Sequence, residues 1–288
     1  MTGTLYLVAT PIGNLEDMTY RAVRILSEAD LIACEDTRTS GVLLARYGIR
    51  TPCISYHKFN EKTRGPELVG KLEDGQTIAL ISDAGMPAIS DPGESLVCLC
   101  HEAGVPVSAV PGASAVVTAL ALSGRDSRRF SFEGFLPQDR KERERILEEM
   151  KTETRTLILY EAPHRLEKTL ALLAEALGEE RPITLCRELT KRYETLTDTT
   201  IGEALKELAR VPARGEYVLV LEGRNREELE ARKQEAYAGI SLLDHVASYE
   251  AKGLSRKEAM KAAAKDRGLT RREVYQALLH EEETPCGE

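Results

Sequence analysis

Short apolar runs alternate with longer stretches of helical spacing along the first third of the chain. Leu5-Tyr6-Leu7-Val8-Ala9, Leu31-Ile32-Ala33-Cys34, Ile78-Ala79-Leu80-Ile81 and Val105 to Val110 are the runs. Each is strand-length and flanked by turn or polar residues, so each predicts a buried strand. Between them Tyr20 to Glu28, Ser40 to Tyr47, Glu61 to Glu73 and Ser95 to Ala103 predict helices. Strands alternating with helices predict a mainly parallel sheet covered on both faces. Gly104 stands where a C-cap glycine would, just before the fourth strand.

The rhythm changes at Ser123-Gly124-Arg125-Asp126. Beyond it Thr156 to Tyr160, Ile183 to Cys186 and Tyr217 to Leu221 predict strands. Leu166, Leu170, Leu173 and Leu177 recur on one helical face, closed by Gly178. The reading is one α/β domain over residues 1–122 and a second over 123–224. A charged helical linker is expected over 225–240 and a small helical module over 241–288. In that module Ser255-Arg-Lys-Glu258 and Thr270-Arg-Arg-Glu273 are capping boxes, separated by Gly268. Leu242, Leu243 and Val246 predict a helix before them, which makes the module resemble a helix-turn-helix.

Charge sharpens this division. The 288-residue chain carries 39 Lys and Arg against 47 Asp and Glu, a net of −8. That balance excludes a uniformly basic nucleic-acid glove but not a local patch. Residues 251–280 hold eight Lys or Arg against three Asp or Glu, a net of +5. Arg125, Arg128, Arg129 and Arg140, Lys141, Arg143, Arg145 are further basic groups suited to phosphate. No apolar run reaches the ~18 residues of a membrane-spanning helix, and the first residues lack a basic leader. The six cysteines are scattered, as expected for reduced thiols in a cytoplasmic protein. The five histidines are isolated, so no metal site is expected. No phosphate-binding loop, dinucleotide fingerprint or nucleophile elbow is present.

The candidate chemistry lies in loops that follow strands: Ala9-Thr10-Pro11-Ile12-Gly13-Asn14, then Ser82-Asp83-Ala84-Gly85-Met86-Pro87 with Asp91-Pro92-Gly93, then Val110-Pro111-Gly112-Ala113-Ser114-Ala115. In open α/β sheets ligands sit beyond the carboxyl ends of the strands, and small residues there let backbone approach a ligand. Three such loops predict one shared pocket, although each alone reads first as a tight turn.

These loops, with Cys34-Glu-Asp-Thr-Arg38, Glu133-Gly-Phe-Leu-Pro137, Tyr160-Glu-Ala-Pro-His-Arg165 and Arg187-Glu-Leu-Thr-Lys191, resemble the tetrapyrrole methylase superfamily over nearly the whole chain. Within it the set is similar to the branch that modifies ribosomal RNA. The resemblance implies two α/β domains with S-adenosylmethionine (SAM) in the cleft between them, and a homodimer. It implies methyl transfer to the ribose 2′-oxygen of a decoding-centre cytidine in 16S small-subunit ribosomal RNA, either free or in the assembled 30S subunit. Carried over by position, it implies cofactor contacts at Pro11, Asp83, Ala84, Gly85, Ile89, Ser114 and Ala115, and at Glu161 and Leu189 from the second domain. The last two depart from the superfamily's usual residues.

The residues themselves leave roles open. Asp83 reads as a cofactor ligand or an Asx-turn acceptor. Glu35, Asp36 and Arg38 read as substrate contacts or as an ion pair and helix cap. His57, Asn60 and Glu61 lie in a polar loop with no assigned chemistry. A ribose hydroxyl must lose its proton to attack, and Glu161, His164 and Lys191 are the candidate groups. Three functions compete: RNA ribose methylation, C-methylation of a small tetrapyrrole, and non-catalytic nucleic-acid binding. The basic C-terminal module favours the first over the second; the strand-end loops disfavour the third.

Overall fold

The computed structural model describes residues 2–283 apart from 228, 230, 232–234, 236 and 238. Much of the expected linker 225–240, and residues 284–288 of the expected module, lie outside the described residues. The chain forms two compact units, one of residues 1–150 with 155–222 and one of 151–154 with 223–288.

The first unit holds two five-stranded sheets. In the first, β1 (Leu5–Val8), β2 (Leu31–Cys34), β3 (Cys53–Ser55), β4 (Ile78–Ile81) and β5 (Val107–Val110) run in the order β3-β2-β4-β1-β5. Every pairing is parallel. Alternate side chains point to opposite faces of a strand, and the central strands β2 and β4 are apolar and buried on both. Ile32, Cys34, Ala79 and Ile81 pack with Ala22, Ile25 and Leu26 of α1 (Tyr20–Glu28) and Leu44 of α2 (Thr37–Arg46). Leu31, Ala33, Ile78 and Leu80 pack on the other face with Leu68 and Leu72 of α3 (Glu61–Glu73) and Leu96 and Cys100 of α4 (Glu94–Glu102). Gly104 adopts φ 67°, the left-handed turn a glycine allows after α4.

The second sheet is built from β6 (Phe130–Gly134), β7 (Thr156–Glu161), β8 (Pro182–Arg187), β9 (Thr195–Thr200) and β10 (Tyr217–Leu221), in the order β6-β7-β10-β8-β9. Only β6 with β7 is parallel; the other pairings are antiparallel. One face carries α6 (Arg140–Met150), α7 (Pro163–Leu177) and α8 (Ile201–Leu208), with Leu166, Leu170, Leu173 and Leu177 in the core as their spacing predicts.

The other face carries α5 (Ala115–Ser123), which the expected boundary at 122 assigned to the first domain. Val116, Ala119 and Leu120 of α5 pack against Ile158, Cys186, Val218 and Val220 of the second sheet. The boundary therefore does not separate two independent bodies. Helix α5 buries the face that carries Val116, Ala119 and Leu120 on the second sheet and leaves Val117 and Leu122 exposed.

The second unit contains α9 (Leu242–Glu250), α10 (Arg256–Arg267) and α11 (Arg271–Glu283), packed through Val246, Ala259, Ala263, Val274 and Leu278. Both capping boxes form. The Ser255 N–H donates to Glu258 Oε2 at 3.1 Å and the Thr270 N–H to Glu273 Oε2 at 2.7 Å. Gly268 ends α10 at φ 65°. No helix among the described residues is long and apolar enough to cross a membrane.

Candidate active site

A cleft of ≈ 260 Å³ opens between the carboxyl ends of the first sheet and the ends of β7, β8 and β10. The loop after β1 contributes Ile12; the loop after β4 contributes Ala84, Gly85, Met86, Ile89, Ser90 and Asp91; the start of α5 contributes Ser114 and Ala115. Across it stand Phe135, Tyr160, Glu161, Ala162, Cys186, Leu189 and the first residues of β10.

The backbone fixes these loops closely. Thr10 and Gly85 form an antiparallel bridge, N–H to O at 2.8 Å and 3.1 Å, and the Thr10 hydroxyl donates to Ser82 O at 3.2 Å. Gly85 has φ 82°, and a Cβ there would lie 3.3 Å from Ile12 Cγ2. Two apolar cleft residues, one on each side, are flanked by strained backbone. Ile89 lies between Ala88 (φ 66°) and Ser90 (φ 63°); Leu189 lies between Glu188 (φ 52°) and Thr190 (φ 64°). Non-glycine residues there cost ~1–3 kcal/mol each and collect at ligand sites.

Of the residues expected at the cofactor, Ala84, Gly85, Ile89, Ser114, Ala115, Glu161 and Leu189 stand in the cleft wall. Pro11 and Asp83 do not. Pro11 is buried beside Ile12, and exposed Asp83 accepts the Asp36 N–H at 3.3 Å through Oδ1. Partial desolvation at the foot of the loop raises the Asp83 carboxyl, opposed by that N–H and reinforced by the charge of Asp36, although the residue is exposed overall. Asp91, Phe135, Tyr160 and Cys186 also form the wall, and none of them is among the residues expected there. Asp91 has its signal in the Asp-Pro-Gly turn after β4; Cys186 has none, because the face of a buried strand is not legible from its own residues.

Each candidate proton carrier has a definite setting. Glu161 is 2% exposed. It accepts the Ala162 N–H at 2.9 Å and the Thr169 hydroxyl, and lies 3.4 Å from Arg165 Nε. Its oxygens are occupied holding the start of α7. His164 is exposed and outside the wall. Lys191 Nζ pairs with Glu216 Oε2 at 2.7 Å and Glu188 Oε1 at 3.0 Å. Burial opposes the Lys191 charge, but the two carboxylates overcome it and hold the pKa above the ordinary value.

Several groups that the sequence offers for substrate contacts are engaged within the fold. Asp36 caps α2 through the Arg38 N–H and pairs with the Arg38 guanidinium at 2.6 Å. Arg125 is nearly buried between Asp198 and Glu222, at 2.6 and 2.7 Å. Arg140 and Arg145 pair along α6 with Glu144 and Glu149. Arg143 donates to Pro137 O and Gln138 O. Arg128, Arg129 and Lys141 are exposed. Among the described residues no group of His, Cys, Asp and Glu is arranged to hold a metal ion.

The donor set fits a SAM-type cofactor. Apolar side chains stand on both sides of the cleft, and the Gly85 turn brings backbone edges to the ligand space.

Residues 4–205 match the family model for tetrapyrrole (corrin/porphyrin) methylases. The chain is similar along nearly its full length to proteins named ribosomal RNA small subunit methyltransferase I. It is 48% identical to that of Halalkalibacterium halodurans over 97% of this chain and 96% of the relative. It is 46% identical to that of Bacillus subtilis, over 96% of this chain and 94% of the relative. Among solved structures, a cobalt precorrin-4 methyltransferase superposes with TM-score 0.58 at 16% identity, over 76% of this chain and 94% of that one. A diphthine synthase superposes with TM-score 0.60 at 11% identity, over 77% and 90%. These two likenesses carry the fold alone. Fold, cleft and full-length similarity agree: the chain belongs to the tetrapyrrole methylase family and, within it, to the group of ribosomal RNA small subunit methyltransferases I.

Proposed function

We propose that this protein transfers a methyl group from SAM to the ribose 2′-oxygen of a decoding-centre cytidine in 16S ribosomal RNA. The observation that carries this reading is the near-full-length similarity to relatives named for small-subunit ribosomal RNA methylation, which spans the C-terminal unit as well as the cleft. SAM supplies an activated methyl group on sulfur. The chain's residues do the rest: Ala84, Gly85, Ser114 and Ala115 hold the cofactor by backbone, and Ile12, Ile89 and Leu189 enclose its apolar parts. Alignment of oxygen, methyl carbon and sulfur is the larger contribution to rate.

The RNA reading also draws on charge. Arg256, Lys257, Lys261, Lys265 and Arg272 are exposed on the second unit; the side chain of Arg271 lies outside the described residues. A compact tetrapyrrole substrate has no use for such a module, whereas phosphates do. The substrate places the enzyme in the cytoplasm, on free RNA or the assembled 30S subunit.

The working form is a homodimer. Helix α5 leaves Val117 52% and Leu122 45% exposed although it carries apolar residues on all sides. Such a surface suits a self-complementary contact.

Incubation with labelled SAM, separately with free 16S RNA, 30S subunits and a tetrapyrrole, followed by nucleoside mass spectrometry, tests the activity. The expected product is a cytidine methylated on O2′ with an unmodified base. Methyl on the base, or on the tetrapyrrole, refutes the reading. Light scattering that finds only monomers refutes the dimer.

A further inference from the structure

The cleft wall contains one carboxylate from the first half, Asp91, and it stands apart from the other ionisable groups there. Glu161 is committed to the Ala162 N–H, the Thr169 hydroxyl and Arg165. Glu216 is committed to Lys191. Cys186 lies buried beneath Ala119 O, its thiol pushed up to about 12 by burial and then by the charge of Glu194. Tyr160 is likewise pushed up to about 12, by burial and then by the charge of Asp91. Asp91 has no salt-bridge partner among the described residues, and it follows directly on the strained Ala88-Ile89-Ser90 segment that borders the cofactor space.

We propose that Asp91 is the proton acceptor of the methyl transfer, placed by the strained loop after β4 to meet the ribose hydroxyl as it enters the cleft. The assignment rests on the 2′-O-methylation reading. The ribose oxygen forms its bond to the methyl carbon as the carbon–sulfur bond breaks and its electron pair stays on sulfur. The hydroxyl proton passes to an Asp91 carboxylate oxygen and later to water, so no further reactant is required.

The surroundings suit this role. The groups that face Asp91 are Ser82, Asp83 and Glu35 from the first sheet's loops and Tyr160 from the second. Burial raises the Asp91 carboxyl above its ordinary value, the Ser82 hydroxyl opposes this, and the charge of Asp83 adds to it. Glu35 is raised in turn by burial and by Asp91. A carboxylate raised above its ordinary value is a stronger base toward the hydroxyl proton.

The test uses the full-length protein on its RNA substrate. Asp91→Asn is isosteric and should lose roughly 10²- to 10⁴-fold in single-turnover rate. SAM affinity by calorimetry and RNA affinity should each change by less than about threefold, because the base acts on the proton rather than on ground-state binding. Asp83→Asn gives an independent readout: removing the negative charge that helps raise the Asp91 carboxyl should shift the acid limb of the pH–rate profile to lower pH without abolishing activity. Asp91→Asn that keeps the wild-type rate, or Asp83→Asn with an unmoved limb, overturns the assignment. If the wild type methylates RNA but on a base nitrogen or carbon, the functional reading fails, and the hydroxyl-proton role of Asp91 fails with it.

Discussion

Gly13 lies directly under Lys191: a Cβ on Gly13 would fall 2.4 Å from Lys191 Cγ, and 2.9 Å from both Leu189 O and Thr190 Oγ1. The β1 loop and the β8 loop thus touch through the absence of a side chain, and this contact ties the two cleft walls together. Gly13→Ala must move backbone as well as the lysine. Overpacking of this kind costs ~1–3 kcal/mol. Denaturant unfolding should show that loss, and SAM affinity should fall with it. An alanine variant as stable and as tight-binding as the parent would mean that the loops give way freely.

Gly85 is the second such position. Its φ of 82° strains any L-residue, and its Cβ would press on Ile12 Cγ2 at 3.3 Å inside the cleft wall. Gly85→Val should weaken SAM binding at least tenfold while the circular dichroism spectrum is retained. Unchanged SAM affinity in the folded variant would move the cofactor away from this loop.

The strained residues flanking Ile89 and Leu189 predict a trade between stability and binding. Glycine at Ala88 or Thr190 relieves a left-handed backbone that costs ~1–3 kcal/mol. It also gives the unfolded chain more freedom, worth ~0.5–1 kcal/mol. Ala88→Gly and Thr190→Gly should therefore raise the melting temperature slightly or leave it level. SAM affinity should drop, because each loop loses its imposed shape. A gain in affinity would argue that the strain serves folding rather than the ligand.

The ion pairs at Lys191 carry a pH signature. Its pKa is held above the ordinary lysine value of 10.5, so its stabilisation is complete below that and fades as pH rises through the folded value. Glu188 is lowered from 4.5, first by the Glu216 N–H with burial opposing, then by Lys191, so its share is present above 4.5 and disappears as pH falls through the folded value. Glu188→Gln should lower the melting temperature near neutrality and converge with the parent as pH falls, which flattens the acid limb of the profile. An acid limb identical to the parent's would mean that Glu188 contributes nothing to the acid sensitivity of the fold.

The first sheet is the most legible part of the chain because its central strands are apolar on both faces and show as uninterrupted runs, as in Leu31 to Cys34. The strands that escape are those whose residues are not apolar enough to stand out. Edge strand β9, Thr195-Leu-Thr-Asp-Thr-Thr200, is mostly exposed, and β3 is three residues long. Helix α6 escapes for a related reason: Arg140-Lys-Glu-Arg-Glu-Arg reads as a charge cluster, and only Leu147 and Met150 are buried. At the site, the glycine and proline loops signal where the cleft lies. What they cannot signal is which polar groups are left for chemistry. Arg125 and Asp91 look alike in sequence as turn residues; only long-range ion pairs with Asp198 and Glu222 consume the former.

The C-terminal unit offers the sharpest test of RNA recognition. Its helices are held by their own core and by capping boxes at Ser255 and Thr270, while Arg256, Lys257, Lys261, Lys265 and Arg272 remain at the surface. The residues assigned to the cofactor all belong to the other unit. Truncation after about residue 238 should therefore leave SAM affinity nearly unchanged. RNA affinity should fall, and the log–log dependence of that affinity on salt should flatten by ~0.7–0.9 for each phosphate that the protein no longer neutralises. Charge reversal of Lys261 and Lys265 within the intact chain should reproduce part of the effect without disturbing the fold, since both side chains are exposed. If the truncated protein bound RNA with the parent's affinity and salt slope, the module would serve another purpose, and phosphate recognition would fall to Arg128, Arg129 and Lys141 on the first unit.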